Sequence, residues 1–214
     1  MDLSLEEIIT IAKGDINSLK AVVNINIEKD DISYSNVDAS LVLKKSNWLH
    51  MRLYRFGILI GDFLLKDNVV HTASGKGAHG FREFGRELYY SVFWWEDIED
   101  ALMYKEPAAY VIRTKNKEIR INKSTLLPES QEIITNSKKI HILYEQPEKG
   151  VVPTLRDRSR ANFWYPSVIK IETGVYRVTV KVTKLFINPP LKEEDFPTSP
   201  SESSRPDLLS LIQG

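Results

Sequence analysis

Gly75-Lys76-Gly77-Ala78-His79-Gly80 follows the spacing G-x-G-x-x-G, in which glycines let a backbone approach a pyrophosphate where a helix begins. A dinucleotide site also needs that helix to open on the last glycine and an acidic residue about 20 residues further on within a βαβ unit. Here Gly85 interrupts the would-be helix and no parallel-strand pattern follows, so residues 68 to 87 read as a mobile basic loop and no cofactor is expected. The four histidines, His50, His71, His79 and His141, form no H-x-x-x-H or H-E-x-x-H pair, and no metal site is expected either. Cysteine is absent, which excludes thiol redox chemistry, thiolate metal centres and disulfides. Glu96-Asp97-Ile98-Glu99-Asp100 and Glu193-Glu194-Asp195 bring carboxylates together, but acidic turns in water lack the apolar surroundings that raise a carboxyl into the general-acid range. Ser159 has no nearby histidine and no nucleophile elbow. The residues therefore point away from an enzyme and towards binding.

Two groups of residues suit binding. Lys76, Arg82 and Arg86 lie in the glycine-rich loop beside Phe81 and Phe84, and Arg156, Arg158 and Arg160 lead a stretch from 151 to 184 with seven basic residues against two acidic ones. Phe163, Trp164 and Tyr165 are interleaved there, a combination suited to anionic lipid headgroups or nucleic-acid phosphates, or to a solvated strand face over buried aromatics. The second group is proline-rich: Pro189-Pro190-Leu191 opens like P-P-x-Y without the tyrosine, and Pro197-Thr198-Ser199-Pro200 fits P-[ST]-x-P. Proline peptides dock extended because their conformational entropy is already low.

The elements that position these residues are read from periodicity. The chain has 214 residues, with 29 basic and 29 acidic side chains and no net charge, enough for one globular domain that needs no staple. Ser4 and Glu7 form a capping box ahead of Leu5, Ile8, Ile9 and Ala12, which predicts a helix over 4–13 ended by Gly14. Val23, Ile25 and Ile27 alternate with asparagines as a half-buried strand. Tyr34-Ser35-Asn36 offers a helix cap before Val37, Leu41 and Trp48, and Leu49 to Leu65 suits a second, buried helix in which Gly57 and Gly61 allow close packing. Arg52, Arg55 and Asp62 inside that run argue against a membrane span. Tyr89 to Trp95 reads as strand running into the acidic turn, residues 110–112 and 118–121 as a hairpin, and 139–144, 168–171 and 175–182 as further strands. From 188 to 214 proline and serine dominate, which predicts a flexible tail dispensable for folding. The expected fold is α+β, a mainly antiparallel sheet packed on two or more helices in a domain 1–187. The acidic N-terminus lacks the marks of a secretory signal, so a cytoplasmic location is expected.

Tyr34-Ser35-Asn36-Val37-Asp38-Ala39 followed by Trp48-Leu49-His50-Met51, and later Gly174-Val175-Tyr176-Arg177, resemble stretches of the vesiculovirus matrix proteins in the same order, and the tail's proline motifs are similar to their late-domain motifs. The resemblance to these rhabdovirus proteins implies a non-enzymatic matrix protein of the virion and the inner membrane face. Such a protein would self-associate as a homo-oligomer, bind an anionic membrane surface and viral ribonucleoprotein, and recruit host budding machinery through its tail. It implies membrane or nucleocapsid contacts for Lys76, Phe81, Arg82, Phe84, Arg86, Arg156, Arg158 and Arg160, and partner contacts for Pro189, Pro190, Pro197, Thr198, Ser199 and Pro200. In that family, however, the proline motifs and a lysine-rich arm are N-terminal, whereas here the prolines are C-terminal and residues 1–20 are net acidic.

A different class of reading starts from Trp94-Trp95-Glu96-Asp97-Ile98 and the hairpin that follows. These look like pleckstrin-homology-like domains, which implies a lipid- or protein-binding module of a cellular or phage protein.

Overall fold

Alternation of apolar and polar residues, backed by paired positive-φ turns, organises most of this chain. The computed structural model describes residues 2–14, 16–30, 32–67, 69–72, 78–96, 98, 100–135, 138–153, 160–192 and 195–196. Helix α1 (Leu5–Lys13) is followed by β1 (Ser18–Lys29), β2 (Ile32–Lys44), β3 (Trp48–Arg55), β4 (Ile58–Lys66) and β5 (Val69–Thr72). Helix α2 (Ala78–Val92) then leads to β6 (Leu102–Lys105), β7 (Ala109–Arg113), β8 (Lys117–Asn122), β9 (Pro128–Ile134), β10 (Lys139–Pro153), β11 (Arg160–Thr173) and β12 (Tyr176–Ile187). The strands make one antiparallel sheet of twelve in the order β5-β4-β3-β2-β1-β12-β11-β10-β9-β8-β7-β6.

This corrects the α+β expectation. The segments expected as helices between 35 and 65 are β2, β3 and β4, because Val37, Ala39, Leu41 and Leu43 face the core while Asp38 and Ser40 alternate outward. Ser46 and Asn47 (φ 74° and 62°) reverse the chain within the three-residue connection 45–47, and Phe56 and Gly57 (φ 51° and 78°) form a two-residue turn of the mirror-image kind that suits the strand twist. Gly57 thus turns a hairpin, and Gly61 faces Leu53 across the ladder, where an added Cβ would lie 2.6 Å from the Phe63 ring. The reverse correction applies to α2, which occupies ground expected as loop and strand. Its Leu88, Tyr89 and the following Phe93 are fully buried, and that burial outweighs the roughly 1 kcal/mol that each helix-interior glycine costs. Helix α1, the strand at 23–27, the 110–121 hairpin and the strands at 139–144, 168–171 and 175–182 stand where periodicity puts them, with the Ser4–Glu7 capping box closed at 3.2 and 2.7 Å.

The sheet is rolled around α2. Strands β4 and β9 are seven strand spacings apart in the sheet order, about 34 Å in a flat sheet. Yet α2 contacts β3, β4, β5 and β11, and its exposed C-terminal carbonyls are met by side chains from the far half. Gln131 donates to the Tyr90 carbonyl (3.3 Å), Tyr144 to that of Ser91 (2.8 Å) and buried Lys117 to that of Trp94 (3.4 Å). A helix end leaves such carbonyls without intrahelical partners, so β8, β9 and β10 complete α2 from the side. Helix α1 covers the neighbouring end of the sheet through Ile8, which joins Trp94, Ile98, Tyr110, Ile112, Ile119 and Ile121 in a second core.

Beyond β12 the chain turns at Asn188, whose side chain accepts from the backbone N–H groups of Asn17 (2.7 Å) and Ser18 (3.2 Å). Residues 188–192 and 195–196 then lie on the outer face of the sheet. Phe196 is buried with Val42 and Leu64, its ring edge-on to Trp48 at 5.1 Å. Asp195 pairs with Lys20 at 2.7 Å. Buried His50 reaches the Asp195 carbonyl with Nδ1 (2.6 Å) and the Asp62 carboxylate with Nε2 (2.5 Å). Both partners of the ring are oxygen acceptors.

Burial alone would raise the Asp62 carboxyl, but His50 and Arg52 outweigh it and hold it below its ordinary 3.8. At Asp195 burial likewise pulls upward, while the bonds from Lys20 and the Lys192 N–H win. A depressed folded value contributes stability above the unfolded pKa and loses it as pH falls through the folded one. This strap should therefore be fully held at neutral pH and loosen below about pH 4. Acid titration followed by amide exchange at residues 188–196 checks this, with Asp62→Asn and Asp195→Asn as references. Identical acid profiles in all three chains would refute it.

Candidate functional site

Apolar side chains of β1, β2, β11 and β12 point inward, and α1 and α2 lie across them without filling the space. The result is a cavity of about 250 Å³. Its floor is sheet, including Ala21, Val23, Leu41 and Val180, and its sides are Ile11 and Ala12 of α1 and Leu88, Val92, Trp94 and Trp95 at the end of α2. Leu126–Pro128 and Trp164–Pro166 complete the lining. A space this size lined by apolar groups has no partners for water and favours an apolar guest.

Next to the cavity the β10–β11 ladder is interrupted. Strand β10 pairs with β9 only over Lys139–Leu143, and β11 with β12 only over Val168–Thr173. Gln146 (φ 51°) and Ser167, opposite each other, are left out of the ladder with no change of register, and the Ser167 hydroxyl donates to the Gln146 carbonyl at 2.8 Å. Beyond them Pro147–Pro153 and Arg160–Pro166 continue as a two-stranded arm. Trp164, 43% exposed, and Tyr165, whose hydroxyl donates to Glu148 at 3.1 Å, stand where the arm meets the cavity.

Few polar groups reach this space. The Tyr144 hydroxyl is committed to the Ser91 carbonyl and the Gln131 amide, and burial raises its pKa well above the ordinary value. Tyr89 is likewise kept neutral, by burial first and by its bond to Glu96 (2.8 Å). The Trp95 indole N–H is buried with no hydrogen-bond partner among the described residues. Trp95 also lines an outer cleft with Ile9, Lys13, Lys45, Ser46 and Glu96. Among the described residues no three histidine or acidic side chains are grouped to hold a metal ion.

The described basic, phenylalanine and proline residues singled out from sequence do not line the cavity. Arg82 is exposed on α2, Arg86 pairs with its neighbour Glu87 at 2.9 Å, and Phe84 is half-buried against the main core. Phe81 belongs to α2 and Arg160 opens β11. Lys76, Arg156, Arg158 and Pro197 to Pro200 lie outside the described residues, and Pro189 and Pro190 follow β12 at the start of the strap. Among the described residues of 151–184, Arg177 bonds Glu172 (2.7 Å) and Glu28 (3.3 Å), and Lys170 bonds Glu145 (2.7 Å), carboxylates that come partly from neighbouring strands. Among the described candidates, the Trp164–Tyr165 aromatics and the Trp94-Trp95 pair line the cavity. Its remaining lining was readable as core face, in the alternation of β1 and β12, but not as a site.

No protein-family model and no curated protein matches the chain. Solved structures do. A DUF1329 family protein from Desulfovibrio piger shares 13% identity at a TM-score of 0.59, covering 89% of this chain and 94% of that one. A domain named for outer membrane lipoprotein sorting, from Vibrio parahaemolyticus, shares 14% at 0.57, covering 89% and 95%. A LolA superfamily protein from Nitrosomonas europaea shares 11% at 0.55, covering 91% and 98%. The chain has the fold of these three. That overturns the rhabdovirus matrix resemblance, and with it the virion, self-association, anionic-membrane, ribonucleoprotein and budding roles. The segments that carried it are β2, β3 and the β11–β12 turn, where strand alternation and a positive φ at Gly174 (56°) dictate the residue types; such constraints recur in unrelated sheets.

Proposed function

We propose that the protein is a non-enzymatic binder of an apolar or amphiphilic small molecule, held between the rolled sheet and its two helices. The observation that carries this reading is the 250 Å³ cavity with its nearly continuous apolar lining. It is joined by the absence, among the described residues, of any grouped metal ligands. The fold shared with a protein named for lipoprotein sorting and with a LolA superfamily protein supports it. Of the two sequence readings, the lipid-binding module is the one compatible with this architecture, in a sheet of twelve strands rather than a pleckstrin-homology-like one.

Filling the cavity tests the reading. Ala21 lies on its floor, 7% exposed. Ala21→Phe should put a ring in the vacancy, lower the affinity for a fluorescent fatty-acid analogue at least tenfold, and cost no more than about 1–3 kcal/mol of stability. Displacement titrations on wild type and variant, with thermal unfolding alongside, give both numbers. Failure of the wild-type protein to bind any apolar probe, or equal binding by the two, would overturn the proposal.

A further inference from the structure

The cavity and the outer cleft are separate spaces, and among the described residues Trp95 is the one that lines both. Helix α1 borders them too, with Ile11 and Ala12 on the cavity and Ile9 and Lys13 on the cleft, since residues four apart share a helix face. The Trp95 side chain also packs against both hydrophobic cores, the larger one under α2 and the one around Ile8 and Trp94, a position no other described residue shares. Its ring meets Phe93 and Trp94 edge-on, each at 5.7 Å. Its buried N–H has no acceptor among the described residues. A buried donor left unmade is a cost that phenylalanine would avoid, so what the indole adds at this position is size. The residue lies between α2 and β6, outside any helix or strand, whereas the cavity floor is held by ladder hydrogen bonds. The cavity, about 250 Å³, is below the 300–1,000 Å³ usual for drug-sized guests, and the side chains that end it decide what fits.

We infer that the Trp95 side chain closes the cavity off from the outer cleft and thereby sets the length of the guest. A single-chain apolar ligand no longer than the cavity is taken in whole, and a longer one is stopped at the indole. This rests on the binding role proposed above and names the residue that determines its specificity.

The experiment titrates the full chain with straight-chain 1-alkanols from hexanol to tetradecanol, by displacement of a fluorescent fatty-acid analogue. These probes are uncharged and differ in length alone. Wild type should gain about fourfold in affinity per added methylene and then level off within the series. In Trp95→Leu, which keeps an apolar side chain in both cores, the levelling should move about two methylenes or more towards longer chains. Trp95→Phe should fall between the two, and it carries the comparison if the leucine variant does not fold. A second readout locates the guest. The chain has no cysteine, so Ser46→Cys puts a single thiol in the cleft. Tetradecanol should slow maleimide labelling of that thiol threefold or more in the Trp95→Leu background and leave it unchanged with Trp95 in place, a difference that a purely structural role of the ring does not produce. No levelling in wild type, levelling at one length in wild type and variants alike, or protection of the thiol with Trp95 in place would overturn the inference and leave the apolar cavity standing. Binding of no alkanol by wild type would overturn both.

Discussion

Phe93→Ala is expected to remove about 3–5 kcal/mol of folding stability. Phe93 is fully buried just beyond α2, where its backbone N–H bonds the Tyr89 carbonyl at 2.9 Å and its ring meets Tyr89 at 4.9 Å and Trp95 edge-on at 5.7 Å. It belongs to the core that joins Met51, Phe63 and Leu65 of one half of the sheet to Ile133, Ile140 and Ile142 of the other. Truncating it opens a void that two strand layers held by the ladder cannot close, so the loss should fall in the upper part of the range for large-to-small changes. Urea unfolding measures it: the midpoint should drop while the slope stays constant. A loss under about 1 kcal/mol would mean that the roll of the sheet does not depend on the end of α2.

Local signals were readable and long-range ones were not. The capping box at Ser4 and Glu7 needs only three residues of context, and the turns at Asn116 and Gly174 lie between strands whose alternation is uninterrupted, so α1, β7–β8 and β11–β12 follow from sequence. Between 35 and 65 the apolar residues fit a buried helix or a pair of strands, since a short apolar run carries no period of its own. The deciding information was backbone conformation at Ser46-Asn47 and Phe56-Gly57, where neither pair is the familiar Asn-Gly. In α2 the glycines at 80 and 85 masked a face at Leu88, Tyr89 and Phe93 whose burial depends on strands from both ends of the chain. The cavity was out of reach for a different reason. Its lining residues read as core, and whether a core is filled depends on how closely the helices approach a sheet that has rolled. The ion pairs were out of reach for the same kind of reason, because Glu28 and Glu145 are far from Arg177 and Lys170 in sequence but close to them in the sheet.

Phe196→Ala should cost about 2–3 kcal/mol, against an expectation from composition that everything after 187 is dispensable. The value sits below the usual range for buried phenylalanine because the cluster it completes is small. Among the described residues Val42 and Leu64 are buried beside it, with Trp48 and Leu191 at the margin, and a surface cluster can partly collapse onto the gap. Trp48 itself is held by Lys66 and Lys44, 4.3 and 5.1 Å from its ring centre, so it offers a fixed edge-on partner rather than one that must be ordered. A double-mutant cycle with Trp48→Ala should therefore return a coupling of about 0.5–1.5 kcal/mol for the aromatic pair. If Phe196 docks the strap as a unit, its removal also frees Asp195 from Lys20 and from His50, and amide protection at Ser18, which the Asn188 side chain accepts, should fall least because that anchor lies before the cluster. A stability change within about 0.5 kcal/mol of zero, with no coupling to Trp48, would show that the outer-face segment contributes nothing to the fold and that the compositional reading of residues 188–196 stands.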